Sequence, residues 1–371
     1  MKIKIAELPG DGIGPEVVEQ AKKALDAIGS RFNHQFEYCQ ADVGAIAIDK
    51  TGNPLPDVTL ETCVNSDAIL FGAIGHPKYD SDPNAKVRPE QGLLRLRKEL
   101  GLYANLRPVA TYSKLLHLSP LKEEKVKGVD LLILRELTGG IYFGEKGRSQ
   151  DGKSAYDTCS YAAYEIERIA QLAFENAQKR RKKVTLVDKA NVLESSRLWR
   201  DTVQNMASNY PEVTLDFMYV DNAAMQLIQY PIQFDVMLTS NMFGDILSDE
   251  ASVLSGSMGL LPSASIGEKT SLFEPIHGSY PQAAGEDIAN PMATILSAAM
   301  LLNSLELNEE AKIVRLAVQH ILERGIGTPE LKPSILYSCS QVGDMIAHLI
   351  EEAEDFTIYN DKINEGISTI I

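Results

Sequence analysis

Apolar residues follow two spacings along this chain, and their alternation sets the expected architecture. Short apolar runs predict strands at 2–8, 68–74, 129–134, 183–187, 213–220 and 234–239, because runs of this length bounded by turn signals suit buried strands. Between them, apolar positions recur three and four apart over 15–28, 90–100 and 164–178, the spacing of amphipathic helices. Gly29 and Gly101 are the expected stops of the first two, since glycine commonly ends a helix. Residues 291–302 are apolar nearly all round and predict a buried helix, with further helices at 308–324 and 343–353. Strands alternating with helices predict an α/β protein with a largely parallel sheet. Two stretches break the rhythm. Residues 75–89 are polar, hold three prolines and lack periodicity, and long loops of this kind are more often functional than idle. Residues 137–162 set short aromatic runs between glycines and predict a β-ribbon with a polar tip. Such a ribbon is marginal alone, so it is expected to pack on something, a second subunit being a candidate.

Composition narrows the class. At 371 residues the chain has room for two domains. A net charge of −15 disfavours a nucleic acid or an acidic membrane as partner, so an anionic substrate would need a local arginine cluster working against the global field. Cys39, Cys63, Cys159 and Cys339 are scattered without a C-x-x-C pair. That argues against a zinc site or a disulfide framework and suits a reducing cytoplasm. No apolar run approaches the ~20 residues of a membrane span, and the N-terminus enters a strand directly, without signal-peptide architecture.

Candidate chemistry collects at strand ends. Arg135, Lys189, Asp221 and Asp245 each stand near the carboxyl end of an expected strand, where open α/β sheets place ligands. Asp245 and Asp249 are four apart, so their carboxylates share one face of a helix expected to begin near Asp245. They form a candidate Mg²⁺ or Mn²⁺ site, since both ions prefer oxygen ligands. Arg97, Arg107 and Arg135 come from three separate elements and suit bidentate clamping of a polycarboxylate. Leu93 and Leu94 share a helical side with Arg97, a combination that fits carboxylates beside one apolar branch. Lys189 beside a cation would have a lowered pKa and could act as a general base. Tyr142, on the ribbon, could act as a general acid. The run 179–183 is basic and reads as a solvated helix end. The turn Gly10-Asp11-Gly12-Ile13-Gly14 has the spacing G-x-G-x-G, with Asp11 and Glu16 where a pyrophosphate would sit, so a Rossmann phosphate loop is not expected.

Long ordered motifs carry a resemblance. They are Leu8-Pro9-Gly10-Asp11-Gly12-Ile13-Gly14-Pro15-Glu16, Leu102-Tyr103-Ala104-Asn105-Leu106-Arg107-Pro108 and Arg135-Glu136-Leu137-Thr138-Gly139-Gly140-Ile141-Tyr142-Phe143-Gly144. Asp188-Lys189-Ala190-Asn191-Val192, Asn241-Met242-Phe243-Gly244-Asp245-Ile246-Leu247-Ser248-Asp249 and Glu274-Pro275-Ile276-His277-Gly278-Ser279 follow. Along nearly its whole length the chain resembles the β-decarboxylating dehydrogenases, the family of isopropylmalate and isocitrate dehydrogenases. The resemblance implies a two-domain fold that is not a Rossmann domain. One domain would comprise 1–105 plus 255–371 and hold most of the cofactor site; the other, 106–254, would carry the dimer interface and the ribbon arm. Isocitrate enzymes place serine and asparagine where this chain has Leu93 and Leu94, so the resemblance points to an isopropyl-bearing malate and to leucine biosynthesis. D-malate, tartrate or homoisocitrate are sister substrates, and a non-catalytic regulatory subunit is the remaining alternative.

The implied roles follow residue by residue. Arg97, Arg107 and Arg135 would hold the carboxylates, with Glu90, Leu93, Leu94 and Val192 completing the substrate site. Asp245 and Asp249, with Asp221 from the other subunit, would hold the metal and meet the substrate. Lys189 of the partner subunit, through water, would take the hydroxyl proton, hydride would pass to NAD, and Tyr142 would protonate the enol left by loss of CO₂. A homodimer with shared active sites is therefore implied. Cofactor contacts would come from Ile13, Glu274, His277, Gly278, Ser279, Tyr280, Gln282, Ile288 and Asn290. NAD-using relatives usually carry aspartate where Gln282 stands, so NAD is expected with weakened discrimination against NADP.

Overall fold

A computed structural model describes residues 1–81 and 87–352, and the chain divides into two compact units. Among the described residues, the first comprises Met1–Leu102, Tyr112–Leu118 and 255–352; the second comprises Tyr103–Thr111 and Ser119–Leu254. The first unit begins with β1 (Lys2–Gly10), α1 (Gly14–Phe32), β2 (Gln35–Gln40), α2 (Ala45–Thr51), α3 (Asp57–Val64), β3 (Ala68–Ala73), the single turn α4 (Pro77–Asp80) and α5 (Pro89–Glu99). The second unit follows with β4 (Ala104–Ala110), α6 (Glu123–Val126), β5 (Asp130–Glu136), β6 (Lys146–Arg148), β7 (Ala155–Asp157) and α7 (Ala163–Gln178). It continues through β8 (Lys183–Asp188), α8 (Glu194–Ala207), β9 (Thr214–Tyr219), α9 (Val220–Gln229), β10 (Val236–Thr239) and α10 (Asn241–Ser252). The chain then returns to the first unit as β11 (Pro262–Ile266), β12 (Leu272–Pro275), α11 (Met292–Ser304), α12 (Asn308–Glu323), β13 (Ile326–Gly327), β14 (Ile335–Leu336) and α13 (Cys339–Glu352).

In the first unit the strand order is β2-β1-β3-β12-β11, parallel except where β11 meets β12. In the second it is β4-β5-β10-β8-β9, with β4 antiparallel to β5 and the rest parallel. Strands β3 and β10 are buried at every position, as parallel strands covered on both faces must be. Helix α11 is buried from Met292 through Asn303, which its all-round apolar pattern foretells. The α/β reading with a largely parallel sheet holds.

The departures have identifiable causes. Helix α1 runs through Gly29 to Phe32 and ends on Asn33, which adopts the left-handed conformation at φ 57°. Gly29 serves packing instead: a Cβ there would stand 3.0 Å from the His34 carbonyl oxygen and 3.4 Å from the Phe36 ring. The ribbon exists as the antiparallel pair β6–β7, with Lys146 opposite Asp157. Tyr142, however, lies before it in a 3-10 turn, Gly140–Tyr142. Helix α10 starts at Asn241, a full turn before Asp245, which removes Asp245 from the strongest part of the helix dipole. Lys179, Arg181 and Lys182 of the basic run are exposed past the end of α7, as a solvated helix end would be, but Arg180 is not. The Arg180 side chain is 2% exposed and bridges Asp130 and Asp235 at 2.8 Å each, while Arg181 donates to the Asp130 carbonyl. Within the loop at 75–89, α4 forms a short turn, and 82–86 lie outside the described residues.

Candidate active site

The second unit assembles charge at the ends of β4, β5 and β10. Buried β5 presents Arg135 at its carboxyl end, and the first turn of α10 passes against it. Gly244 permits that approach, since a Cβ there would lie 2.7 Å from the Arg135 Cβ and 2.3 Å from the Thr239 hydroxyl oxygen. Asn241 Oδ1 accepts from Arg135 Nε at 3.2 Å and Nη2 at 2.9 Å, leaving Nη1 to donate to Asp245 Oδ1. The other Asp245 oxygen accepts the Tyr142 hydroxyl at 2.9 Å. On the neighbouring helical turn, Arg107 Nη1 donates to Ser248 Oγ at 2.7 Å and to Asp249 Oδ1 at 2.8 Å, and its Nε donates to Asn105 Oδ1 at 2.8 Å. The structure thus brings Arg107, Arg135, Tyr142, Asp245 and Asp249 into one interlocked set. Partial burial, together with the hydrogen bond to anionic Asp245, pushes the Tyr142 phenol above its ordinary pKa. It therefore stays protonated at neutral pH, as a proton donor must.

Lys189 and Asp221 form a second group in this unit. Lys189 follows the last residue of β8, Asp188, whose buried carboxylate accepts two hydrogen bonds from Arg200 and one from the Ala190 N–H. The Lys189 N–H donates to Ser196 Oγ at 3.1 Å, which fixes the backbone from which the ammonium reaches Asp221 Oδ1 at 2.8 Å. That hydrogen bond holds the Asp221 carboxyl below the usual range. Val192 stands exposed one turn beyond, its N–H on the Lys189 carbonyl. Asp221, Asp245 and Asp249 do not converge within one chain. Among the described residues, the one set of three acid, histidine or cysteine side chains with ligand atoms within 4.8 Å of one another is Glu16, Asp287 and Cys339. Asp245 and Asp249 offer hard oxygen donors of the kind that suits Mg²⁺ or Mn²⁺, and a third carboxylate would have to come from elsewhere.

In the first unit, Arg97 on α5 pairs with Glu274 at 3.0 Å, and its Nε is buried without a partner. Glu90 opens α5 and is exposed. The two leucines part company: Leu93 leans on the core formed by Leu96, Leu102 and Phe71, whereas Leu94 is 53% exposed. Buried Ile13 donates its N–H to the Ser279 carbonyl at 2.8 Å. His277 Nδ1 lies 3.0 Å from the Gly278 carbonyl oxygen, while Nε2 is buried and lacks a partner; burial pushes its pKa down. Tyr280 takes the left-handed conformation at φ 38° and leads into the 3-10 turn carrying exposed Gln282. Ile288 is exposed, and buried Asn290 is already engaged, with Oδ1 on the Met292 N–H and Nδ2 on Glu330. An orphaned imidazole nitrogen beside Gly278, where an added Cβ would meet open space, fits a ligand with a polar planar group such as the base of a dinucleotide.

Sequence reasoning missed several supporting residues. Glu136 is fully buried and accepts from Thr138 N–H, Thr138 Oγ1 and Gly139 N–H, which fixes the turn that carries Tyr142. Tyr161 accepts the Asn241 N–H at 2.9 Å, and its ring fills the space beside Gly139 and Gly140. Asn241 orients Arg135, and Asp11 holds three backbone N–H groups. The adjoining motifs carried a signal, paired glycines that leave room for a ring, but the identity of the ring is written some twenty residues away.

Residues 4–346 match the protein family described as isocitrate/isopropylmalate dehydrogenase. A 3-isopropylmalate dehydrogenase of Bacteroides fragilis is 56% identical over 95% of this chain and 100% of its own length. One from Moorella thermoacetica is 55% identical over 94% of this chain and 99% of its own. Among solved structures, an isocitrate dehydrogenase from Methylococcus capsulatus superposes with a TM-score of 0.83 at 33% identity, covering 94% of this chain and 100% of that one.

Proposed function

The chain belongs to the isocitrate/isopropylmalate dehydrogenase family, and from that premise we propose that it oxidises and decarboxylates 3-isopropylmalate, with NAD as acceptor, in leucine biosynthesis. The products are 4-methyl-2-oxopentanoate and CO₂. The observation that carries this reading is the interlocked set in the second unit: two arginines, two carboxylates and a phenol held in mutual hydrogen bonds at strand ends. Its cations suit substrate carboxylates and its anions suit a cation, so ligands could take over both kinds of partner.

Bound NAD supplies the hydride acceptor, and bound Mg²⁺ or Mn²⁺ supplies Lewis acidity at the substrate's C2 oxygen. The remaining tasks belong to the chain. In the second unit, Arg107 and Arg135 hold substrate carboxylates, each with its other nitrogens pinned by Asn105 or Asn241. Asp245 and Asp249 hold the cation together with Asp221 of the partner subunit. Lys189 of the partner subunit, which lies on Asp221 in its own chain, takes the C2 hydroxyl proton as hydride leaves C2. The resulting β-keto acid loses its C3 carboxylate as CO₂, the electron pair moving onto the C2 oxygen, to which the partner's Lys189 returns its proton to give an enol; Tyr142 then delivers a proton to C3 as the enol proton leaves and the C2 ketone re-forms. In the first unit, Arg97 offers a further guanidinium, and Leu93 and Leu94 offer hydrocarbon to the isopropyl group. A third carboxylate there would be left buried and unpaired. Glu274, His277 to Tyr280, Gln282, Ile288, Asn290 and Ile13 frame the dinucleotide.

The dimer is part of this reading. Helices α9 and α10 pack on each other and expose Met225, Ile228 and Ile246, with Val253 exposed just beyond α10, apolar side chains that call for a partner. No helix among the described residues is long and apolar enough to cross a membrane, and the four cysteines are free thiols; we place the activity in the cytoplasm. The test is NADH formation by purified protein with Mg²⁺ and a panel of 3-isopropylmalate, D-malate, tartrate, homoisocitrate and isocitrate. Turnover highest with 3-isopropylmalate is expected; preference for another acid overturns the substrate assignment, and no turnover with any overturns the enzyme.

A further inference from the structure

One buried carboxylate has no task in the chemistry above. Asp11, just beyond β1, is 5% exposed, and a buried carboxylate is costly unless hydrogen-bonded. Its Oδ2 accepts the N–H of Ala45 at 2.8 Å and of Gly75 at 2.9 Å, and its Oδ1 accepts the N–H of Ile46 at 3.0 Å. The first and last of these donors open α2, whose first-turn N–H groups have no partner within the helix. The surroundings are shaped to this carboxylate: Gly44 adopts φ +83°, and a Cβ there would lie 2.4 Å from Oδ2.

The turn that Asp11 opens holds two residues assigned above to the cofactor in contact, Ile13 and Ser279. Gly75 starts the loop that leads to Glu90, and a Cβ on Gly75 would stand 3.0 Å from Glu90 Oε1 and 3.6 Å from Ser279 Oγ. The Asp11 N–H donates to the Ala73 carbonyl at 2.9 Å, and the Ile13 N–H donates to the Ser279 carbonyl at 2.8 Å. Gly12 is pressed so close to Ser279 that a Cβ would lie 1.9 Å from that carbonyl oxygen. We propose that Asp11 is the positioning residue of the cofactor-binding loops: its carboxylate sets the backbone at Gly75 and α2, and its own turn docks on Ser279. Ile13 and Ser279 are thereby presented to the dinucleotide, and Glu90 to the substrate, in one fixed arrangement. The proposal rests on the dehydrogenase reading, since a scaffold carboxylate without a dinucleotide would only add stability.

The test is Asp11→Asn in the full-length enzyme. Asparagine keeps the shape but turns one acceptor into a donor, which then faces a backbone N–H. The expected result is a KM for NAD raised roughly tenfold or more with kcat within about threefold of wild type, and NADH binding followed by fluorescence weakened by the same factor. Leu25→Ala, a cavity in the core beside α1 where Leu25 is fully buried, serves as the control for stability: it should lower the melting temperature and leave the KM for NAD unchanged. If Asp11→Asn does not fold, Gly44→Ala, which crowds the same oxygen, is read in its place. An active wild type with an Asp11→Asn KM and NADH affinity unchanged overturns the proposal alone. A KM that rises equally in Leu25→Ala also overturns it, because stability then explains the effect. A wild type that neither turns over nor binds NADH overturns the functional reading and this proposal with it.

Discussion

Two aspartates of the first unit and three of the second face different partners. In the first unit, Asp11 accepts three backbone N–H groups, and Asp287, itself left-handed at φ 55°, accepts the Ser340 N–H at 2.8 Å and the Ser340 hydroxyl at 2.7 Å. In the second, Asp245, Asp249 and Asp221 accept from Arg135, Arg107 and Lys189, and their side chains are 35%, 73% and 64% exposed. A backbone donor cannot leave without unfolding a turn, whereas a solvent-facing carboxylate can exchange its side-chain partner for a ligand at little cost. The first group is therefore scaffold and the second is available to ligands. Residue type does not separate them; the nature of the donor and the exposure do.

Chemistry should fail first where partners are exchangeable. Lys189→Ala is expected to lower kcat by about 10³-fold, a substantial fraction of which is the loss of a general base, with the melting temperature lowered by no more than about one degree through loss of the Asp221 ion pair; retention of a tenth of the wild-type kcat would remove Lys189 from proton transfer. Tyr142→Phe should cost about 10²-fold in kcat while preserving the ring's place beside Arg135. Turnover at the wild-type rate would reassign the C3 proton to another donor. The metal then separates the units directly. Mg²⁺ added to wild type should raise the melting temperature by mass action, and Asp249→Asn should require roughly tenfold more Mg²⁺ for the same shift. Asp287→Ala should lower the starting melting temperature and leave the Mg²⁺ response intact. An Asp287 variant that loses the response would erase the distinction between scaffold and ligand.

The sequence displays the second group far better than the first. Arg135, Lys189 and Asp245 could be placed because buried parallel strands read as continuous apolar runs and end in polar residues, so local pattern locates the ends. Asp245 and Asp249 share a face through helical spacing alone. What pattern could not show depends on partners distant in sequence. Arg180 reads as a solvated charge until Asp130 and Asp235, some fifty residues to either side, are known to enclose it. Gly29 reads as a helix stop until Phe36 is seen to pack against it. Asp11 reads as negative charge in a turn; its three donors lie 34, 35 and 64 residues on. Leu93 and Leu94 share a helical side by spacing, yet only Leu93 finds core to lean on.

The smallest expected effect is on stability, and it gives the two kinds of aspartate opposite responses to acid. The Lys189 hydrogen bond depresses the Asp221 carboxyl below its ordinary value of 3.8. The unfolded chain therefore binds the proton more readily, and the stability this ion pair contributes is present above that value and lost as pH falls through the depressed one. Asp221→Asn lacks the contribution at every pH. Its melting temperature should lie about one degree below wild type near neutrality, small because both partners are solvated, and the gap should close in acid and in about 0.5 M salt. Asp11 has the reverse sign. Burial, the largest influence on it, outweighs its three backbone hydrogen bonds and raises the carboxyl above 3.8. The folded state then binds the proton more readily, so wild type should gain stability relative to Asp11→Asn as pH falls through the raised value. Melting temperatures of the wild type and both variants across an acid series read the two slopes together. Slopes of the same sign would mean that exposure and donor type do not divide these carboxylates.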